Sequence, residues 1–178
     1  DFFKNFAHTL THFSEEQLEA VRLSTENGFL VLTGGPGTGK TTTLKGIIDL
    51  YKKCKLKIAL AAPTGRAAKR MAEVIGLEAK TIHRLLEYDS TTGKFVHNRT
   101  NPIKAHLLVI DEVSMINTFL MASLLYAVNR ETTVIFVGDK DQLPAIGPGN
   151  ILHDILEFNN VPIIRLNKIF RQAEKSRI

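Results

Sequence analysis

The sequence predicts an α/β domain: a mostly parallel sheet with helices on both faces. Three observations carry that expectation. Short apolar runs at 29–33, 107–110 and 133–137 each end in glycine or acidic residues, as buried strands do. Stretches with apolar residues at helical spacing separate them. A chain of 178 residues is also long enough for one domain with its own core.

Residues 1–28 read as a lead-in. There Ser14-Glu15-Glu16-Gln17 matches a capping box, opening a helix that stops at Asn27-Gly28. Residues 29–33 form the first strand, and residues 40–51 a helix with Leu44, Ile47, Ile48 and Leu50 at helical spacing. A second strand spans 57–61, stopped by Ala62-Pro63, and an Ala-rich helix spans 64–75, ending at Gly76. A third strand at 107–110 precedes a long helix at 117–129. A fourth strand follows at 133–137, and 162–166 supplies a fifth. Residues 87–105 are a polar excursion from the sheet edge, with a hairpin turn at Thr91-Thr92-Gly93.

Composition sets outer bounds. Lys and Arg total 23 against 18 Asp and Glu, a net charge of +5, with 44% hydrophobic residues. That excludes a disordered chain and permits a nucleic-acid partner without establishing one. Cys54 is the single cysteine, so an intrachain disulfide is impossible; it is read as a packing residue. The longest apolar stretch, 119–128, is too short to span a bilayer, and the N-terminus has no apolar signal core. The expectation is a cytoplasmic protein with no membrane partner.

The strongest local signal is Gly34-Gly35-Pro36-Gly37-Thr38-Gly39-Lys40-Thr41, which fits G-x-x-x-x-G-K-[ST] between a strand and a helix. Glycines let backbone N–H groups converge on phosphate oxygens, and the helix behind adds about half a positive charge at its N-terminus. Lys40 reaches the β- and γ-phosphates, and Thr41 offers its hydroxyl to Mg²⁺. The metal needs a carboxylate at the carboxyl end of a neighbouring strand. Asp111, directly after 107–110, is that candidate, and Glu112 is placed to polarise the attacking water. An adjacent glutamate argues for hydrolysis. Asn167-Lys168-Ile169-Phe170 lacks the Asp of a guanine-reading sequence, so adenine is the expected base.

Taken together the motifs make the chain similar to the first motor domain of superfamily 1 helicases, and most closely to their RecD-like branch. Residues 34–43 resemble helicase motif I, 62–70 motif Ia, 81–85 the element after it, 111–115 motif II, 137–147 motif III and 169–172 motif IV. The resemblance implies a RecA-like P-loop NTPase fold at 29–178, an adenine-reading glutamine in the lead-in, and ATP and Mg²⁺ as cofactors. It implies catalytic roles for Lys40, Asp111, Glu112, Gln142 and Arg171, with Gln142 sensing the γ-phosphate and Arg171 stabilising charge on the transferring phosphoryl. Gln17 would read adenine, in competition with its capping-box role. Gly35, Pro36, Gly37, Thr38, Gly39, Lys40, Thr41 and Thr42 would hold nucleotide, and Thr41 and Asp111 the metal.

Arg66, Lys69 and Arg70 have i, i+3, i+4 spacing and share one helix face. The resemblance sets this face, with Thr64, His83 and Arg84, against the phosphates of single-stranded DNA. It further implies a second motor domain of the same parent chain, translocation from 5′ to 3′, and a role in recombination or repair, within a nuclease–helicase complex or alone. The 178 residues are read as an excised first motor domain that hydrolyses slowly and unwinds nothing by itself. Two other readings stay open: a nucleotide-gated DNA-binding module without effective turnover, and the motor of a conjugative relaxase–helicase. His8 and His12 lack the glutamate of a zinc-protease motif and are given no metal.

Overall fold

The computed structural model describes residues 2–139, 141–142, 149–158 and 160–169. The strand Phe29–Gly34 (β1) is buried on both faces because both are apolar. Leu30 and Leu32 point to one face and Val31 to the other, as a period of two requires. Each such side chain, fully buried, stabilises by about 1.5–3 kcal/mol.

Among the described residues six strands form the main sheet: β1, Ile58–Ala62 (β2), Ala79–Thr81 (β3), Leu107–Ile110 (β6), Thr133–Gly138 (β7) and Ile163–Leu166 (β8). Their order is β3-β2-β6-β7-β1-β8, and every pairing is parallel. All six carboxyl ends therefore open on one edge. The short strand β3 was not expected. Its residues, Ala79, Lys80 and Thr81, are too few and too polar for an apolar run to mark them.

One face carries the helices Phe2–Ala7 (α1), Glu15–Glu26 (α2), Lys40–Lys53 (α3) and Gly65–Ile75 (α4), with Phe6, Val21, Ile47, Ile48 and Met71 in its core. The other carries Ile82–Leu86 (α5), Thr118–Tyr126 (α6) and Ile151–Phe158 (α7), with Ile82, Leu86, Met121, Leu124 and Leu152 buried. The expected α/β architecture with helices on both faces is the one observed.

Local differences have local causes. The helix expected over 117–129 starts after the cap Asn117 but ends at Tyr126. Beyond it the Ala127 carbonyl accepts from Ile103 N–H, and the Asn129 carbonyl accepts from Thr132 N–H, so that backbone is spent on other partners. The polar excursion does fold back on itself: Tyr88–Asp89 (β4) pairs antiparallel with Lys94–Phe95 (β5). Its turn is held by Asp89, whose carboxylate accepts from the N–H and hydroxyl of Thr91 and the hydroxyl of Thr92. Cys54 is exposed at the carboxyl end of α3, not packed, because the chain turns there into the left-handed residue Lys55 (φ 57°).

Candidate functional site

The glycine loop links β1 to α3 on the carboxyl edge of the sheet. Gly34 can be nothing larger: a Cβ would lie 2.6 Å from both the Leu166 carbonyl and the Thr38 hydroxyl. Gly39 holds φ 87°, a left-handed value that opens α3 without a side chain. That last point separates α3 from its neighbours. Helices α2, α4, α5 and α6 open on Ser14, Thr64, Thr81 and Asn117, each of which accepts a bond from a first-turn N–H. The cap of α3 makes no side-chain hydrogen bond, so its first N–H groups present their partial positive charge to the cleft.

The cleft holds about 800 Å³. Its lining includes Pro36, Gly37, Lys40, Thr41 and Thr42 of the glycine loop and helix start, the acidic pair Asp111 and Glu112, and Asp139 and Gln142. Met71, Val74 and Ile75 of α4 add apolar lining to the cleft, which Gln17 also lines. Lys40 Nζ donates to the Gly34 and Gly35 carbonyls, the latter at 3.1 Å. Burial pushes the Lys40 pKa down, while the carboxylates of Asp139 and Asp111 push it back up. Burial likewise raises the Asp111 pKa, against the Glu112 N–H, which donates to Asp111 Oδ1 at 2.8 Å, and against Arg70 and Lys40. Glycine loop and acidic pair thus share one pocket.

The expectation that they sit on neighbouring strands is corrected. Strand β7 lies between β1 and β6. The gap is filled by Asp139 at the tip of β7, which is buried; it lies inside motif III but was given no role, although it follows its apolar strand just as Asp111 does. Its Oδ1 accepts from Asp141 N–H at 3.0 Å, and its carbonyl accepts from Gln142 N–H at 3.2 Å, which sets Gln142 at the cleft.

Gln17 is buried and both ends of its amide are engaged. Oε1 accepts from Ser14 N–H at 2.9 Å, completing the capping box, and Nε2 donates to the Gly39 carbonyl at 3.3 Å. Helix α2 is thereby tied to the glycine loop. Arg171 and part of motif III, residues 140 and 143–147, lie outside the described residues.

Thr64 and Thr81 cap α4 and α5 directly after the parallel neighbours β2 and β3. Arg66, Lys69, His83 and Arg84 are exposed there, on the same edge as the cleft. Arg70 is exposed on the same helix but is also paired. Its guanidinium donates to Glu112 Oε1 at 2.5 Å, although the arginine side chain is 67% exposed and the glutamate 14%.

Residues 17–148 match the AAA domain family. The ATP-dependent RecD2 DNA helicase of Deinococcus radiodurans is 45% identical over 165 residues, 93% of this chain and 22% of that protein. The RecBCD enzyme subunit RecD of Mycolicibacterium smegmatis is 40% identical over 167 residues, covering 80% of this chain and 30% of that protein. The chain therefore spans under a third of the length of these relatives. Among solved structures, Pif1 helicase from Bacteroides in complex with ADP-AlF3 and ssDNA superposes with a TM-score of 0.61 at 26% identity, over 91% of this chain and 43% of that one.

Proposed function

We propose, for a chain that belongs to the AAA domain family and is homologous to the RecD helicases, that it is the ATP-hydrolysing first motor domain of a DNA helicase. One observation carries the reading: the helix start without a side-chain cap at Gly39 lines the same cleft as Asp111 and Glu112. The backbone donors suit a triphosphate; the carboxylates suit its metal and the attacking water.

In this reading the first-turn N–H groups of α3 and the Lys40 ammonium bind the phosphates, and Lys40 exchanges its loop carbonyls for β- and γ-oxygens. Thr41 and Asp111 would hold Mg²⁺, which supplies charge neutralisation on the phosphates. The donors are one hydroxyl and one carboxylate, both in the lining of the cleft. That donor set suits Mg²⁺, which binds through one or two carboxylates plus substrate phosphates. Glu112 accepts a proton from the attacking water. Gln142 senses the γ-phosphate, and Arg171 stabilises the charge that develops on it. Gln17 reads adenine by giving up its long bond to the Gly39 carbonyl for the base edge, in the cleft that α4 lines with apolar side chains. Single-stranded DNA runs over Thr64, Arg66, Lys69, His83 and Arg84, and the parent protein moves 5′ to 3′ in recombination or repair with a second motor domain closing the cleft. The name of one relative, a RecBCD enzyme subunit, supports a place for the parent protein in a larger recombination complex.

The test is ATP hydrolysis by the full-length protein with Mg²⁺, with and without oligo-dT, against Glu112→Gln. Hydrolysis that DNA stimulates and the substitution removes is the expected result. Equal rates for the two proteins would leave only a nucleotide-gated DNA-binding module. The 178-residue domain alone is expected to bind nucleotide weakly and unwind nothing.

A further inference from the structure

We infer that Arg70 is a latch on Glu112, and that single-stranded DNA stimulates hydrolysis by drawing Arg70 away; this rests on the function proposed above. The ion pair joins the two systems that a motor must couple. Glu112 belongs to the cleft, and its backbone (φ 51°, ψ 44°) caps the short 3-10 turn Val113–Met115, which restricts where its carboxylate points. Arg70 belongs to α4, one turn beyond Arg66 on the helix whose start carries the basic face. Its guanidinium takes hold of Glu112 Oε1 at 2.5 Å. With the guanidinium seated on Oε1, that oxygen is not free to accept from the attacking water, so the pair holds Glu112 out of position for it.

The two partners are unequally held. Glu112 is mostly enclosed, whereas two thirds of the Arg70 side chain stays in solvent. A guanidinium carries five N–H donors in a fixed fork and matches a phosphodiester as well as a carboxylate. A backbone phosphate lying along Arg66 and Lys69 therefore competes for Arg70 from its open side, and Glu112 is released when the phosphate wins. Because the arginine is exposed, the pair is weak enough for one phosphate contact to break it. Arg70 is in this scheme a positioning residue acting through Glu112.

Coupling of this kind is reciprocal. If DNA opens the latch, the latch opposes DNA. The first test therefore needs no nucleotide: oligo-dT affinity of the full-length protein, without ATP or Mg²⁺, for wild type, Glu112→Gln, Arg70→Ala and the double variant. Glu112→Gln should bind about two- to fivefold tighter, the range set by an exposed pair. The same change in the Arg70→Ala background should do nothing, whereas a general loss of negative charge would tighten binding in both. In hydrolysis, Arg70→Ala should raise the DNA-free rate by about two- to fivefold and shrink the stimulation ratio to match. Arg70→Lys, a point charge in place of the fork, should fall between.

A basal rate that drops in Arg70→Ala would make the arginine a support for the base, and an unchanged rate would make it a DNA contact only; either overturns the latch while leaving the motor reading intact. Wild type that hydrolyses no ATP even with DNA would sink both.

Discussion

Around the cleft, position is set by backbone and burial: a glycine that tolerates no Cβ, a helix start without a side-chain cap, and carboxylates at the tips of fully apolar strands. On the adjoining face of α4 and α5 the corresponding groups are exposed side chains on short elements, and the threonines among them already cap their own helices. The comparison teaches where a single substitution acts. In the cleft it disturbs a fixed geometry and should abolish an activity; on the basic face it removes one of several interchangeable contacts and should only weaken one.

The largest effect expected is that of Lys40→Ala. Removing a preorganised charge from the phosphates should lower ATP hydrolysis by at least about 10²- to 10³-fold, while oligo-dT affinity stays within about threefold. Steady-state hydrolysis and fluorescence anisotropy on one preparation would check both halves; an equal loss in each would erase the distinction between the regions. Next is Gly34→Ala. The added methyl meets the Leu166 carbonyl and the Thr38 hydroxyl at 2.6 Å, and the backbone side of that contact cannot rotate away. Overpacking of this kind costs about 1–3 kcal/mol, read as a lower unfolding midpoint with nucleotide affinity falling alongside.

Acid titration sharpens the same contrast. Burial holds the Asp111 carboxyl above its ordinary value. Its folded pKa thus exceeds the unfolded one, so the folded state binds more protons between an ordinary carboxylate pKa of about 3.9 and the raised value. From this group stability rises as pH falls through that window and is lost as pH climbs back. Asp111→Asn should therefore flatten that part of the stability profile and raise the melting temperature at neutral pH, while removing Mg²⁺-dependent hydrolysis. Calorimetry across pH would show it, and an unchanged melting temperature would mean that neighbouring cations already compensate the buried charge.

What could be read from the sequence divides along the same line. The glycine loop, the acidic pair, β1, β2, β6 and β7 were legible because burial writes itself as apolar runs and because phosphate binding demands glycine at fixed spacing. Strand β3 was not legible, since three half-polar residues pair only after β2 offers an edge. Nor was the strand order: periodicity marks a strand but not its neighbour, so the interposed β7 and the buried Asp139 emerged only in three dimensions. Helical spacing groups Arg66, Lys69 and Arg70 on α4, where all three are exposed, yet it is blind to the 42-residue step that joins Arg70 to Glu112. Gln17 was caught between two readings, and the structure realises the capping box while tying the same amide to Gly39.

The smallest expected effects belong to the basic face, and they are also the most diagnostic of how it works. In the proposed motor Thr64 has two duties, as the cap that accepts from Ala67 N–H and as a phosphate contact. Thr64→Ala should lower stability by about 1 kcal/mol through the lost cap, and Thr64→Ser should restore it. Arg66→Ala and Lys69→Ala remove charge without touching a cap, so neither should change stability beyond about half a kcal/mol. Each should instead reduce the slope of log affinity against log salt by about 0.7, the value for one contact on a single strand, and do so on any base sequence. Titrations of oligo-dT and a mixed-sequence strand at several salt concentrations give that slope directly. A loss confined to one of the two sequences would mean that the face reads bases, and backbone tracking by interchangeable cations would have to be given up.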